Sequence, residues 1–141
     1  MVKTDELTIE AAVDRLDDVL EFVDRNLEEA ECPPKVQIQI DVAVEEIFVN
    51  IANYAYTPKT GDARIVLSIA ESAPEVSITF FDRGIPYNPL AKEDPDVTLS
   101  AEERKIGGLG IFMVKKSMDV TEYQYKEGQN VFTMRKGFAS A

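Results

Sequence analysis

Apolar residues fall in two rhythms along this chain. In residues 12–29, Val13, Leu16, Val19, Leu20, Val23 and Leu27 recur every three or four positions, the stripe of an amphipathic helix. Cys32-Pro33-Pro34 breaks that stripe, and a proline suits the first position of a new helix. Beyond it, Val36, Ile38, Ile40, Val42 and Val44 alternate with period two, as in a strand. The apolar run then continues through Ile47, Phe48, Ile51, Ala52 and Ala55. A segment reaching Tyr56 is longer than an ordinary strand, so its length predicts a second helix. Leu7-Thr8-Ile9-Glu10 reads as a short strand ahead of both helices. After a turn cluster over residues 57–62, residues 63–71 and 75–81 read as paired strands around Ser72-Ala73-Pro74. Residues 120–125 and 130–135 read as a final hairpin, preceded by a short helix over residues 110–118. Between the two strand pairs, residues 84–107 carry glycine, prolines and charges with little periodicity, the composition of a lid or binding loop. Helices and strands are segregated along the chain, so the fold class is α+β.

A length of 141 residues is one domain, 1–141, with enough chain to bury a core. The formal charge of −11 opposes non-specific binding to nucleic acid or to an anionic membrane. No stretch approaches a membrane span, and the N-terminus has no apolar signal region, so a cytoplasmic location is expected. A lone cysteine, Cys32, excludes an intramolecular disulfide. With no histidine, a histidine triad, relay or zinc site is impossible, and a general base must be a carboxylate or, less naturally, a lysine or tyrosine.

Three short motifs carry candidate chemistry. Glu46 and Asn50 lie four apart in the second helix and so share a face. An amide oxygen there can complete a magnesium shell, and a carboxylate one turn earlier can hold a hydroxyl for attack on a terminal phosphate. Asp82 ends a strand and precedes Arg83-Gly84-Ile85-Pro86. A strand-end carboxylate can accept a bond from an exocyclic amine, and Gly84 would let a ring approach the backbone. Gly107-Gly108-Leu109-Gly110 precedes a helix, as phosphate cradles do, without the lysine and hydroxyl of a Walker loop. Alone, each motif reads more readily as a wet helix face, a plain turn or a helix cap; in this order they describe one nucleotide pocket.

In that order the motifs identify a resemblance. Residues 45–56, Glu-Glu-Ile-Phe-Val-Asn-Ile-Ala-Asn-Tyr-Ala-Tyr, resemble the N-box of the anti-sigma factor serine/threonine kinases of the gyrase and histidine-kinase ATPase superfamily. Residues 81–89, Phe-Asp-Arg-Gly-Ile-Pro-Tyr-Asn-Pro, resemble the first glycine box, and residues 106–115 with Ser117-Met118-Asp119 resemble the second. The resemblance spans about residues 5–137. It implies a two-layer α/β sandwich, with a mixed, mainly antiparallel sheet covered on one face by helices, and ATP under a lid at about 88–107. It further implies Asn50 on Mg2+, Glu46 as catalytic base, Asp82 on the adenine amine and Gly84 on the floor of the adenine pocket. Gly108 and Gly110 would meet phosphates, with Gly107 and Leu109 in the same loop. Tyr54 stands where kinases of this group often carry histidine, and it keeps a phosphate-side role together with Asn53. No clean match exists for the late adenine-side threonine; Asn130 and Thr133 are both near its position. The implied partners are a sigma factor and an anti-sigma factor antagonist bearing the acceptor serine, with a homodimer possible. The expected function is an ATP-dependent protein kinase and anti-sigma factor; the alternative is a nucleotide-responsive switch that sequesters a partner without phosphorylating it.

Overall fold

The computed structural model describes residues 2–57, 59–71, 73–91 and 108–138. Its strands are β1 (Val2–Glu10), β2 (Asp62–Ala70), β3 (Glu75–Asp82), β4 (Val120–Lys126) and β5 (Gln129–Gly137). They form one sheet in the order β1-β2-β3-β5-β4, and every pairing is antiparallel. The mainly antiparallel sheet implied by the resemblance is therefore wholly antiparallel among the described strands. The helices are α1 (Leu16–Glu29), α2 (Pro34–Asn50) and α3 (Gly108–Ser117).

Alternation in the strands decides which face is covered. Ala63, Ile65, Leu67 and Ile69 of β2, Val76, Ile78 and Phe80 of β3, and Phe132 and Met134 of β5 are buried. They meet Val19, Phe22, Val23 and Leu27 of α1 and Ile40, Val44, Ile47 and Phe48 of α2 in one core. Each of these side chains except Ala63 contributes about 1.5–3 kcal/mol by leaving water. The opposite face carries Ser68, Ser77, Thr79, Thr133 and Arg64, and it stays at least partly exposed. Thr79 and Thr133, direct cross-strand partners, share a hydroxyl–hydroxyl bond of 3.1 Å there, and Arg64 lies over the Phe81 ring.

Two helix ends depart from the sequence reading. Helix α1 is preceded by a 3-10 turn, Val13–Arg15, which leaves Val13 exposed rather than in the stripe. It ends in a Schellman motif: Cys32 N–H donates to the Leu27 carbonyl, Glu31 N–H donates to that of Glu28, and Glu31 takes the left-handed conformation at φ 58°. A glutamate in the position that glycine usually fills left no turn signal in the sequence. The chain then enters α2 on Pro34, as the proline pair predicts. Helix α2 is α-helical only to Asn50; Ile51–Ala55 is a π-helical turn. In the period-two run Ile40 and Val44 are buried, whereas Ile38 and Val42 face solvent, the mark of a helix with one face inside. The hairpin between β4 and β5 turns on Glu127 and Gly128, both at positive φ, as a two-residue type I′ loop requires.

Candidate nucleotide site

The π-helical turn, the end of β3 and the start of β5 enclose a cavity of about 310 Å³. Ile47, Ile51, Ala55, Ile85, Pro89 and Phe132 supply apolar walls; Tyr54, Tyr87 and Tyr123 add rings. The polar groups at the cavity are few: Asn50, Asp82 and Asn130, besides the tyrosine hydroxyls. A small, largely apolar volume with a few fixed polar groups suits a flat heteroaromatic ring.

Asp82 is buried at the last position of β3, with Asn130 of β5 as its direct partner. Its Oδ1 accepts from Gly84 N–H at 2.9 Å and from Asn130 Nδ2 at 2.9 Å. Among the described residues no donor meets Oδ2, which is left as the acceptor for a ligand. Asn130 Nδ2 also donates to the Ile85 carbonyl at 2.8 Å, and its Oδ1 accepts from Tyr87 N–H at 3.0 Å and from the Tyr123 hydroxyl. Burial pushes the Tyr123 phenol up, so this hydroxyl keeps its proton for that bond.

Gly84 serves this end of the site from behind. A Cβ on Gly84 would overlap the backbone of Ala55, and Ile85 N–H donates to the Ala55 carbonyl at 3.0 Å. The glycine lets β3 reach the π-helical turn, and its neighbour Ile85 lines the cavity. Tyr56 braces the same junction: its hydroxyl donates to the Asp62 carbonyl at 2.6 Å and accepts from Arg83 N–H at 2.8 Å. Gly61 gives the Tyr56 ring its space.

At the other end, Asn50 Nδ2 donates to Glu46 Oε1 at 3.2 Å. That bond occupies Asn50 Nδ2 and leaves Asn50 Oδ1 to act as a hard oxygen ligand, the type magnesium prefers. Among the described residues no group of three acidic, cysteine or histidine side chains could hold a metal alone. A magnesium ion at Asn50 would thus need nucleotide phosphate oxygens to complete its shell, which fits the donor set. The Glu46 carboxyl lies against Gly110, where a Cβ would overlap it. Gly108, Leu109 and Gly110 form the first turn of α3, so the glycines open the helix instead of preceding it. Gly107 and the rest of the 92–107 segment lie outside the described residues; positions 89–91 form a short 3-10 turn.

The structure thus brings Asn50, Tyr54 and Asp82 to one cavity, with Glu46 bonded to Asn50 and packed on Gly110. Asn53 is exposed and does not line it; its carbonyl accepts from the Thr57 hydroxyl at 2.6 Å. Of the two candidates on β5, Asn130 is inside and Thr133 is on the opposite face of the sheet. Tyr123 lies outside the motifs, and Tyr87 lies within residues 81–89 but carries no site role in the motif reading. One signal for Asn130 was available: a polar residue in phase with Phe132 and Met134 is a polar group on the buried face.

Over 132 residues the chain is 25% identical to the serine/threonine-protein kinase BtrW of Bordetella bronchiseptica, covering 94% of this chain and 92% of that one. It is 29% identical over 97 residues to the serine-protein kinase RsbW of Listeria monocytogenes, covering 65% of this chain and 60% of the relative. In fold it is similar to the solved RsbU and RsbW domains of Rv1364c from Mycobacterium tuberculosis, at a TM-score of 0.68 and 14% identity. That match covers 96% of this chain and about a third, 32%, of the larger one. The histidine kinase-like ATPase domain family matches residues 9–136, from the end of β1 to the end of β5, and the chain belongs to that family.

Proposed function

We propose that this chain is an ATP-dependent serine/threonine protein kinase of the cytoplasm that also acts as an anti-sigma factor. It would bind a sigma factor and phosphorylate a serine of an anti-sigma factor antagonist. The observation that carries the nucleotide reading is Asp82: its carboxyl lines an apolar cavity, with one oxygen fixed by two protein donors and the other met by none among the described residues. The names of the two curated relatives, both protein kinases, support the transfer reading.

The residues divide the work by position. Asp82 Oδ2 accepts from the adenine amine while apolar side chains take the ring. Asn50 Oδ1 would hold Mg2+, which supplies charge neutralisation on the phosphates. Glu46, on the same helix face, accepts the proton of the attacking serine hydroxyl. Backbone amides in the first turn of α3 present donors to phosphate oxygens, Gly108 and Gly110 among them.

The test is incubation with labelled ATP, magnesium and the antagonist. Label in the antagonist, slowed about a hundredfold or more by Glu46→Gln with nucleotide binding intact, is the expected result. Tight ATP binding with no transfer to any antagonist would instead make the chain a switch that sequesters its partner.

A further inference from the structure

Asn130 uses its whole hydrogen-bonding capacity on protein. An amide side chain has two N–H donors and an oxygen with two lone pairs. Here the donors go to Asp82 Oδ1 and the Ile85 carbonyl, and the oxygen takes Tyr87 N–H and the Tyr123 hydroxyl. Asn130 lines the cavity yet has nothing left to offer a base. Its partners are the carboxyl at the end of β3, the backbone just after it, and a side chain of β4. We infer that Asn130 is a positioning residue for base specificity: it locks the Asp82 carboxyl in the one orientation that points Oδ2 at a purine 6-amino group, with Tyr123 fixing Asn130 in turn.

The physical argument is one of rotation. With one donor, Gly84 N–H, the carboxyl could swing about its Cβ–Cγ bond and share both oxygens with solvent or ligand. Two donors on the same oxygen, one from the backbone just beyond β3 and one from a side chain of β5, remove that freedom. A fixed acceptor discriminates more sharply than a mobile one, because an analogue without the amine leaves it unpaired. Tyr123 acts at one remove, since the other Asn130 bonds set which way the amide faces.

The inference rests on the nucleotide reading above, and one experiment separates the two. Calorimetry with magnesium compares ATP with purine riboside triphosphate, which lacks only the 6-amino group, for wild type, Asn130→Ala and Tyr123→Phe. Wild type is expected to prefer ATP by about tenfold or more, the range of a hydrogen bond to a charged acceptor. Asn130→Ala should bring that ratio to about twofold or less, while preference for ATP over ADP, set at the phosphate end, is kept. Tyr123→Phe removes one oxygen atom and should lower the ratio part of the way; it decides the matter if Asn130→Ala does not fold. If both nucleotides weaken equally in folded variants, so that the ratio is unmoved, Asn130 is merely structural and the inference is overturned. Equal wild-type affinity for the two nucleotides also overturns it and removes the role given to Asp82, leaving ATP binding in place. Failure of wild type to bind either nucleotide overturns the nucleotide reading and this inference together.

Discussion

Gly110 has room for a hydrogen atom and no more, because the Glu46 carboxyl occupies the place of its Cβ. The neighbour is the far end of a flexible side chain, so Gly110→Ala should cost little stability, within about 1 kcal/mol in urea unfolding. What it should move is Glu46 itself. Phosphoryl transfer to the antagonist is expected to fall at least about tenfold, with ATP affinity changed far less, in a paired kinetic and calorimetric measurement. Equal losses in both would assign Gly110 to phosphate contact alone. The bond between Glu46 and Asn50 is a finding of the structure, but that they share a helix face was legible from their spacing of four. The service of Gly110 to Glu46 was not: a glycine between Leu109 and Ile111 reads the same whether it admits a phosphate or a side chain from another helix.

Among the elements, the π-helical turn Ile51–Ala55 carries the helical wall of the cavity past the end of α2. Ile51, Tyr54 and Ala55 line the cavity together with Ile47 and Asn50, at the i, i+3, i+4, i+7 and i+8 spacing of a single helix face. The length of the apolar run predicted a helix through Tyr56, and this segment is helical; it could not reveal the widening, because Ile51 and Ala55 keep an i, i+4 spacing either way. Gly84 makes the same junction from the strand side. Its obstruction is the Ala55 backbone, which cannot swing away as a side chain can. Gly84→Ala should therefore destabilise the fold by about 1–3 kcal/mol, seen as a lower urea midpoint, and weaken nucleotide binding as the cavity wall shifts. An unchanged midpoint would mean that the turn and β3 can separate without loss. The strands themselves were legible to within a few residues, apart from β1, which begins at Val2 well before the apolar pair Leu7 and Ile9. Its early part, Val2 to Glu6, is a mostly polar edge segment held by pairing with β2, a contact distant in sequence and invisible to periodicity.

For the molecule as a whole, an excess of eleven negative charges makes pH a lever on stability, and one half-buried carboxyl makes it specific. Asp41 has an oxygen with no partner among the described residues. Burial, a hydrogen bond from its side chain to Asp24, and the charges of Asp24 and Glu28 push it up to about 8. Gln37 of α2 donates to both Asp24 and Glu28 of α1, at 3.1 Å each, and Cys32 is the other titratable neighbour. The folded state thus holds a proton that the unfolded chain releases near the ordinary aspartate value of 3.8. This contribution to stability is fully present below that value and is lost as pH rises through about 8. Asp41→Asn should flatten that decline and leave the protein about 1–3 kcal/mol more stable than wild type in mildly alkaline buffer, by urea unfolding across pH. A parallel decline in both proteins would place the sensitivity elsewhere. The same neighbourhood settles a practical matter. Cys32 is 7% exposed, and burial together with the charge of Asp41 pushes its thiol up, so the sole sulfhydryl of the chain is a poor nucleophile. A cysteine introduced by Gln124→Cys, exposed on β4 one residue from Tyr123 and on the sheet face away from the cavity, would be the only fast-reacting thiol. The protein comes prepared for single-site fluorescence, with a dye that watches the strand beside Asn130 without standing in its way.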